Sequence, residues 1–146
     1  MMKYLVLVFL VIATTTGCEI PVCCDLGPPS FFAVIQTPEG EDYLTAHQGE
    51  PFDLYYDGEN KKDEKASVQP HTFLRGDTTF LQGINIFSLS KNGIQTFYLK
   101  VGSNIDTLYV EVKRKSDRYK TVRFNGEPAQ EIRFSNAEPY WLMLKR

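Results

Sequence analysis

The stretch IDTLYVEVKRK, Ile105 to Lys115, alternates with a period of two. Leu108, Val110 and Val112 fall on one side of an extended chain, and Thr107, Tyr109, Glu111 and Lys113 on the other. Successive strand residues point to opposite faces, so this is a strand with one face buried. YKTVRFNG repeats the device, with Val122 and Phe124 inward and Thr121 and Arg123 outward. Gly102-Ser103-Asn104 turns the chain into the first of these strands, and Ser116-Asp117 turns it into the second. INIFSLS and IQTFYLKV read as two more, joined through Lys91-Asn92-Gly93, whose Asn-Gly pair tolerates the positive φ of a tight hairpin. The closing PYWLMLK sets Tyr140, Leu142 and Leu144 on alternate positions. Upstream, SFFAVIQT, PFDLYYDG and ASVQPHTFL are further candidates, and Pro70 makes the last an edge strand or two short pieces. No segment past residue 30 sustains a 3.6-residue apolar repeat. The expected fold is all-β, with eight or nine short strands in an antiparallel two-sheet β-sandwich of immunoglobulin-like or transthyretin-like type.

Composition is that of an ordinary globular chain, and the net charge is −2. No basic field calls for nucleic acid, and none is expected as a partner. The charge is unevenly spread: residues 19–64 carry eleven acids against Lys61 and Lys62, whereas residues 100–146 are net basic. Halves of opposite sign lying side by side in one sheet system neutralise each other through cross-strand pairs.

Signatures of catalysis are missing. His47 in TAHQGE and His71 in QPHTF are the only histidines, and neither sits in a catalytic motif. No nucleophile elbow, P-loop or H-E-x-x-H occurs. DGENKKDEKA, Asp57 to Ala66, is rich in acids and amides, but Lys61, Lys62 and Lys65 interrupt them and the calcium-loop spacing is missing. It reads as a solvated hairpin loop. No cofactor, no metal and no enzymatic activity are expected. Aromatics offer a different lead. Phe31-Phe32, Tyr55-Tyr56 and Tyr140-Trp141 are adjacent pairs in expected strands, so one member of each points outward. Tyr56, Tyr140 and Trp141 are therefore the candidate contacts for a glycan or protein partner.

The chain opens MMKYLVLVFLVIATTTGC. Lys3 precedes an apolar run from Tyr4 to Ala13, which as a helix spans ~15 Å, half of a bilayer's hydrocarbon core. That is too short to cross a membrane and suits the apolar part of a secretory signal. The ending Thr-Thr-Thr-Gly-Cys resembles the lipobox of bacterial lipoproteins, with Gly17 in place before the cysteine and Thr15 where the family usually has Leu. The resemblance implies cleavage after Gly17, a diacylglycerol on Cys18 and an acylated new amino terminus. A plain signal peptide cut near Gly17 would instead leave Cys18 as a thiol. RFNGEPAQEIRFSNAEPYW, Arg123 to Trp141, also resembles the closing hairpin of small Gram-negative envelope lipoproteins with sandwich domains, a group that lends no activity.

Cys23 and Cys24 are too few for a four-ligand zinc site. A vicinal disulfide, a link to another chain and spare thiols all remain open for them. Glu19 to Ser30, with Pro21, Pro28 and Pro29, reads as an extended tether reaching ~40 Å. The expected organisation is a signal peptide over residues 1–17, a lipidated tether over 18–30 and the sandwich over 31–146. The expected location is the bacterial envelope, at the outer membrane, with a protein or glycan partner. A passive structural component of the envelope is the alternative, and a small carboxylate-dependent hydrolase is a distant third.

Overall fold

The computed structural model describes residues 30–57, 65–113, 118–132 and 141–146. Among these residues, the chain forms eleven strands and two short helices. The strands are β1 Phe31–Gln36, β2 Phe52–Asp57, β3 Lys65–Ser67, β4 Pro70–Arg75, β5 Thr78–Gly83, β6 Thr96–Val101, β7 Asn104–Val112, β8 Tyr119–Phe124, β9 Glu127–Pro128, β10 Gln130–Ile132 and β11 Trp141–Lys145. The helices are α1 Tyr43–Ala46 and α2 Ile86–Lys91. Two sheets face each other, one ordered β10-β11-β1-β5-β4 and the other β3-β2-β6-β7-β8-β9. This is the expected all-β sandwich. Every pairing is antiparallel except β1 with β11, which run parallel from Phe32↔Trp141 to Gln36↔Lys145.

The alternation read from the sequence is what builds the core. Phe31, Ala33 and Ile35 of β1, Leu81 of β5, and Leu142 and Leu144 of β11 point inward from one sheet. Leu54, Phe97, Leu99, Val101, Leu108, Val110, Val112, Val122 and Phe124 meet them from the other. Burial of each such large side chain contributes about 1.5–3 kcal/mol. The five-stranded sheet also has a smaller apolar cluster on its outer face, where Val34 and Phe80 are buried and Phe32, Phe73 and Ile132 pack against them.

Turn chemistry follows local sequence. Asn125 and Gly126, at φ 50° and 89°, form the two-residue loop between Phe124 and Glu127. Positive φ at both positions is the type I′ requirement that Asn-Gly meets at least cost. Pro70 divides its segment as expected. β3 joins the six-stranded sheet and β4 the five-stranded one, with Gln69 at φ 50° between them. The Ser116-Asp117 turn lies outside the described residues, as do the signal segment, nearly all of the tether and the Asp57–Ala66 loop from residue 58 to residue 64.

Two local expectations are corrected. INIFSLS is not a strand; Ile86–Lys91 is a helix. Asn92-Gly93 closes it rather than turning a hairpin: Gly93 N–H donates to Ser90 O at 3.1 Å, and Ile94 N–H to Leu89 O at 3.0 Å. A glycine at positive φ serves either end equally. Ile86, Phe87 and Ser90 are the buried positions, and Ser90 Oγ donates to Val110 O at 2.8 Å. Leading into TAHQGE, Tyr43–Ala46 is a one-turn helix whose start Asp42 caps, accepting from the N–H groups of Leu44 and Thr45. TTFLQG, not foreseen, is β5, joined to β4 by Gly76-Asp77.

The far end of the chain is tied in by charge. Asp106, buried on the inner face of β7, accepts from Asn125 Nδ2 at 2.9 Å. Arg146 Nε lies 3.2 Å from its Oδ1 and 3.1 Å from its Oδ2. The same guanidinium lies over the Tyr43 ring at 4.4 Å, so one side chain links α1, β7 and the end of β11.

Gly83 offers a test of the α2 packing. A Cβ there would sit 2.5 Å from Ile86 Cδ1 and 2.9 Å from its Cγ1. Because Ile86 is fully buried, Gly83→Ala is expected to cost about 1–3 kcal/mol. The expected readout is a lower urea midpoint at unchanged m-value; an unaltered midpoint would place Ile86 elsewhere.

Candidate functional site

Of the residues singled out from the sequence as contacts or anchor, only Tyr56 has a side chain among the described residues. Tyr56 turns inward, packing against the main core with its ring edge-on to Phe97 at 6.2 Å. Its neighbour Tyr55 lies on the opposite face of β2. Trp141 opens β11 opposite Phe32, and its side chain lies outside the described residues, as do Tyr140 and Cys18. Phe32 belongs to the outer face of the five-stranded sheet, packed edge-on against Phe73 at 6.2 Å.

A different set of rings does assemble, on the outer face of the six-stranded sheet. The inner positions of β6, β7 and β8 are taken by Phe97, Leu99, Leu108, Val110, Val122 and Phe124. Tyr98, Tyr109, Glu111, Thr121 and Arg123 therefore point the other way. Register places Tyr55 opposite Tyr98, Tyr109 opposite Arg123, and Glu111 opposite Thr121. Tyr55 and Tyr98 stack with centroids 5.4 Å apart.

Several of the polar groups around these rings are partnered. Tyr98 Oη donates to Asp57 Oδ2 at 3.2 Å, and Tyr109 Oη to Gln95 Oε1 at 3.0 Å. Lys120 Nζ donates to Glu111 Oε1 at 2.7 Å. Arg123 makes no hydrogen bond or ion pair among the described residues. Tyr109, Glu111, Thr121 and Arg123 border a shallow hollow of about 310 Å³. Partial burial holds the Tyr98 phenol above its usual titration range, and the Asp57 carboxylate that accepts its hydrogen bond adds to the rise. Lys120 is held above the usual lysine value by its hydrogen bond to Glu111.

The surface combines the half-buried rings of Tyr98 and Tyr109 with an uncommitted guanidinium, a carboxylate and a hydroxyl. Such a set can stack on the apolar face of a planar or ring-shaped ligand and bond to its hydroxyl or anionic edge. It holds no nucleophile–base pair. Both histidines are elsewhere: His71 is exposed on β4, opposite Gln82, and His47 Nδ1 lies 2.7 Å from Tyr43 O beside the Tyr43 ring. No group of three His, Cys, Asp or Glu among the described residues is placed to hold a metal ion.

A second cavity, of about 320 Å³, opens at the sandwich end near α1. Leu44, Phe52 and Val101 border it with His47 and Glu50, and Thr72 and Leu74 of β4 form its other side. Leu74 is 62% exposed although it lies on the core-facing side of its strand.

Compared with known proteins, the chain matches no family model, no curated protein and no solved structure. No helix among the described residues is long and apolar enough to cross a membrane.

The Tyr98–Asp57 pair gives a direct check on this face. Asp57→Asn removes the charge but leaves the burial, which is the largest single cause of the rise. The Tyr98 phenol, followed by NMR in a pH titration, is expected to titrate lower than in the parent yet still above the ordinary tyrosine value. An unchanged titration would mean that the two side chains do not meet in solution.

Proposed function

We propose that this chain is a non-catalytic lipoprotein of the bacterial envelope, anchored at the outer membrane through Cys18, whose sandwich binds glycan. The binding face is the outer surface of the six-stranded sheet. The observation that carries the reading is the cross-strand panel of Tyr109, Arg123, Glu111 and Thr121, continued by Tyr98 and Tyr55. Aromatic rings fixed through their phenols lose little freedom on contact with a sugar. The guanidinium and carboxylate offer paired bonds to neighbouring hydroxyls. The anchor rests on the lipobox-like MMKYLVLVFLVIATTTGC, and the proline-containing tether gives the panel its distance from the headgroups.

Two measurements test the two halves of the proposal separately. Metabolic labelling with a radioactive fatty acid is expected to mark the parent chain and not Cys18→Ser, which should leave the membrane fraction. An unlabelled parent chain removes the anchor. Separately, maltohexaose and chitohexaose titrated against the ¹⁵N-labelled protein are expected to shift Tyr98, Tyr109 and Arg123 resonances saturably. Tyr109→Ala should weaken the better ligand by about tenfold, equivalent to ~1.4 kcal/mol, with little change in unfolding midpoint. Shifts confined to other surfaces, or none at millimolar sugar, would reject the glycan reading.

A further inference from the structure

The five-stranded sheet ends in an open edge, and its geometry is specific. β4 and β5 are joined by the two residues Gly76-Asp77, with Arg75 opposite Thr78. A two-residue hairpin makes that closing pair a hydrogen-bonded one, and antiparallel pairs then alternate along the ladder. Leu74↔Thr79 and Thr72↔Leu81 are therefore the non-bonded pairs. Two observations agree: Thr79 N–H points away from β4 and donates to Asp42 Oδ2, and Leu81 is in register with Ala33 of β1 on the other side.

It follows that the N–H and C=O of Thr72 and Leu74 point outward from the sheet. Neither residue has a backbone partner there among the described residues. Both are exposed, and both line the 320 Å³ cavity. Unpaired strand edges of this length are usually shortened, charged or covered. Here Pro70 blocks only the first position, and Leu74 adds an exposed apolar side chain.

We infer that this edge pairs with the same edge of a second copy of the chain, β4 against β4 in antiparallel register, with Thr72 opposite Leu74 of the other copy. A two-fold axis through Phe73 then satisfies the outward groups of both residues in both copies with four backbone hydrogen bonds. Each copy supplies the same two complementary features. The Leu74 of one stands beside the Thr72 of the other, at the mouth of the cavity that Thr72 lines. The two Phe73 residues face each other on the outer side, continuing the row in which Phe73 stacks on Phe80 at 5.5 Å. A single strand edge buries less than the ~1,200–2,000 Å² of stable complexes, so the dimer is weak in dilute solution and favoured where copies are concentrated. Copies confined to one membrane are in that regime. That last consequence rests on the lipid anchor proposed above, but the pairing itself does not.

The test uses the chain carrying Cys18→Ser, Cys23→Ser and Cys24→Ser, with His71→Cys and Arg75→Cys added. These two positions face each other across the axis in the inferred register, at a non-bonded pair where Cα atoms approach to about 4.5 Å, within disulfide range. Mild oxidation at about 0.5 mM protein is expected to give a covalent dimer as the main product. Adding Leu74→Lys, at a position exposed enough to leave the unfolding midpoint unchanged, should reduce that product at least tenfold. A control chain with Arg123→Cys, on the other sheet, should dimerise no faster than random collision allows. Failure of the paired cysteines to cross-link, or equal cross-linking by the control, would overturn the inference. So would a Leu74→Lys chain that folds and still cross-links. None of these outcomes touches glycan binding or acylation, which are read elsewhere.

Discussion

The structure depends on where β1 sits. It is the central strand of its sheet, with β5 antiparallel on one side and β11 parallel on the other. Phe31, Ala33 and Ile35 face the opposing sheet and are all fully buried, while Val34 is buried on the reverse side. A strand buried on both faces reads as a continuous apolar run, which FFAVI is. Parallel neighbours cannot be joined by a tight turn. The first and last strands among the described residues are therefore brought together only when the strands between them have folded back. The core is closed by its two ends, and the Arg146–Asp106 contact fastens the second of them across to the other sheet.

That arrangement decides which surfaces are left over. Among the described residues, three of the four sheet edges are blunt: β3 and β10 have three residues each, and β9 has two, one of them Pro128. Edges this short offer little template for a neighbouring chain. β4, with six residues, is the exception. The outer face of the six-stranded sheet is the other surface of consequence. The inner apolar row fixes β6, β7 and β8 in register, and the rings and charges on the reverse side are aligned by the same register. A surface on the back of a packed sheet inherits the rigidity of the core, which would lower the cost of ordering its side chains on contact with a ligand.

Much of the fold was legible because alternation is a local signal. Leu108, Val110, Val112, Val122, Phe124, Leu142 and Leu144 are all buried where the period of two places them. Pro70 divided its segment for the reason that proline cannot donate to a ladder. The failures have physical causes. Asn92-Gly93 supplies positive φ, which a hairpin and a helix end use alike, and only the burial of Ile86, Phe87 and Ser90 distinguishes them. The parallel pairing of β1 with β11 is a fact about strands more than a hundred residues apart, for which the sequence carries no local mark. The tyrosine panel was missed for a related reason. Adjacent aromatic pairs stand out in a sequence, but adjacent strand residues face opposite ways. Tyr98 and Tyr109 come together through strand register, and the signal that would have found them is the set of outward positions across β6, β7 and β8 taken as one row.

Amide hydrogen exchange measured by NMR tests most directly whether β1 and β11 close a single cooperative core. The account predicts that Val34, Ile35, Met143 and Leu144 exchange only through global unfolding, at the same free energy as Leu99, Leu108 and Val110 in the opposite sheet. Protection of β11 well below that of β1 and β7, with the two ends opening independently, would contradict it.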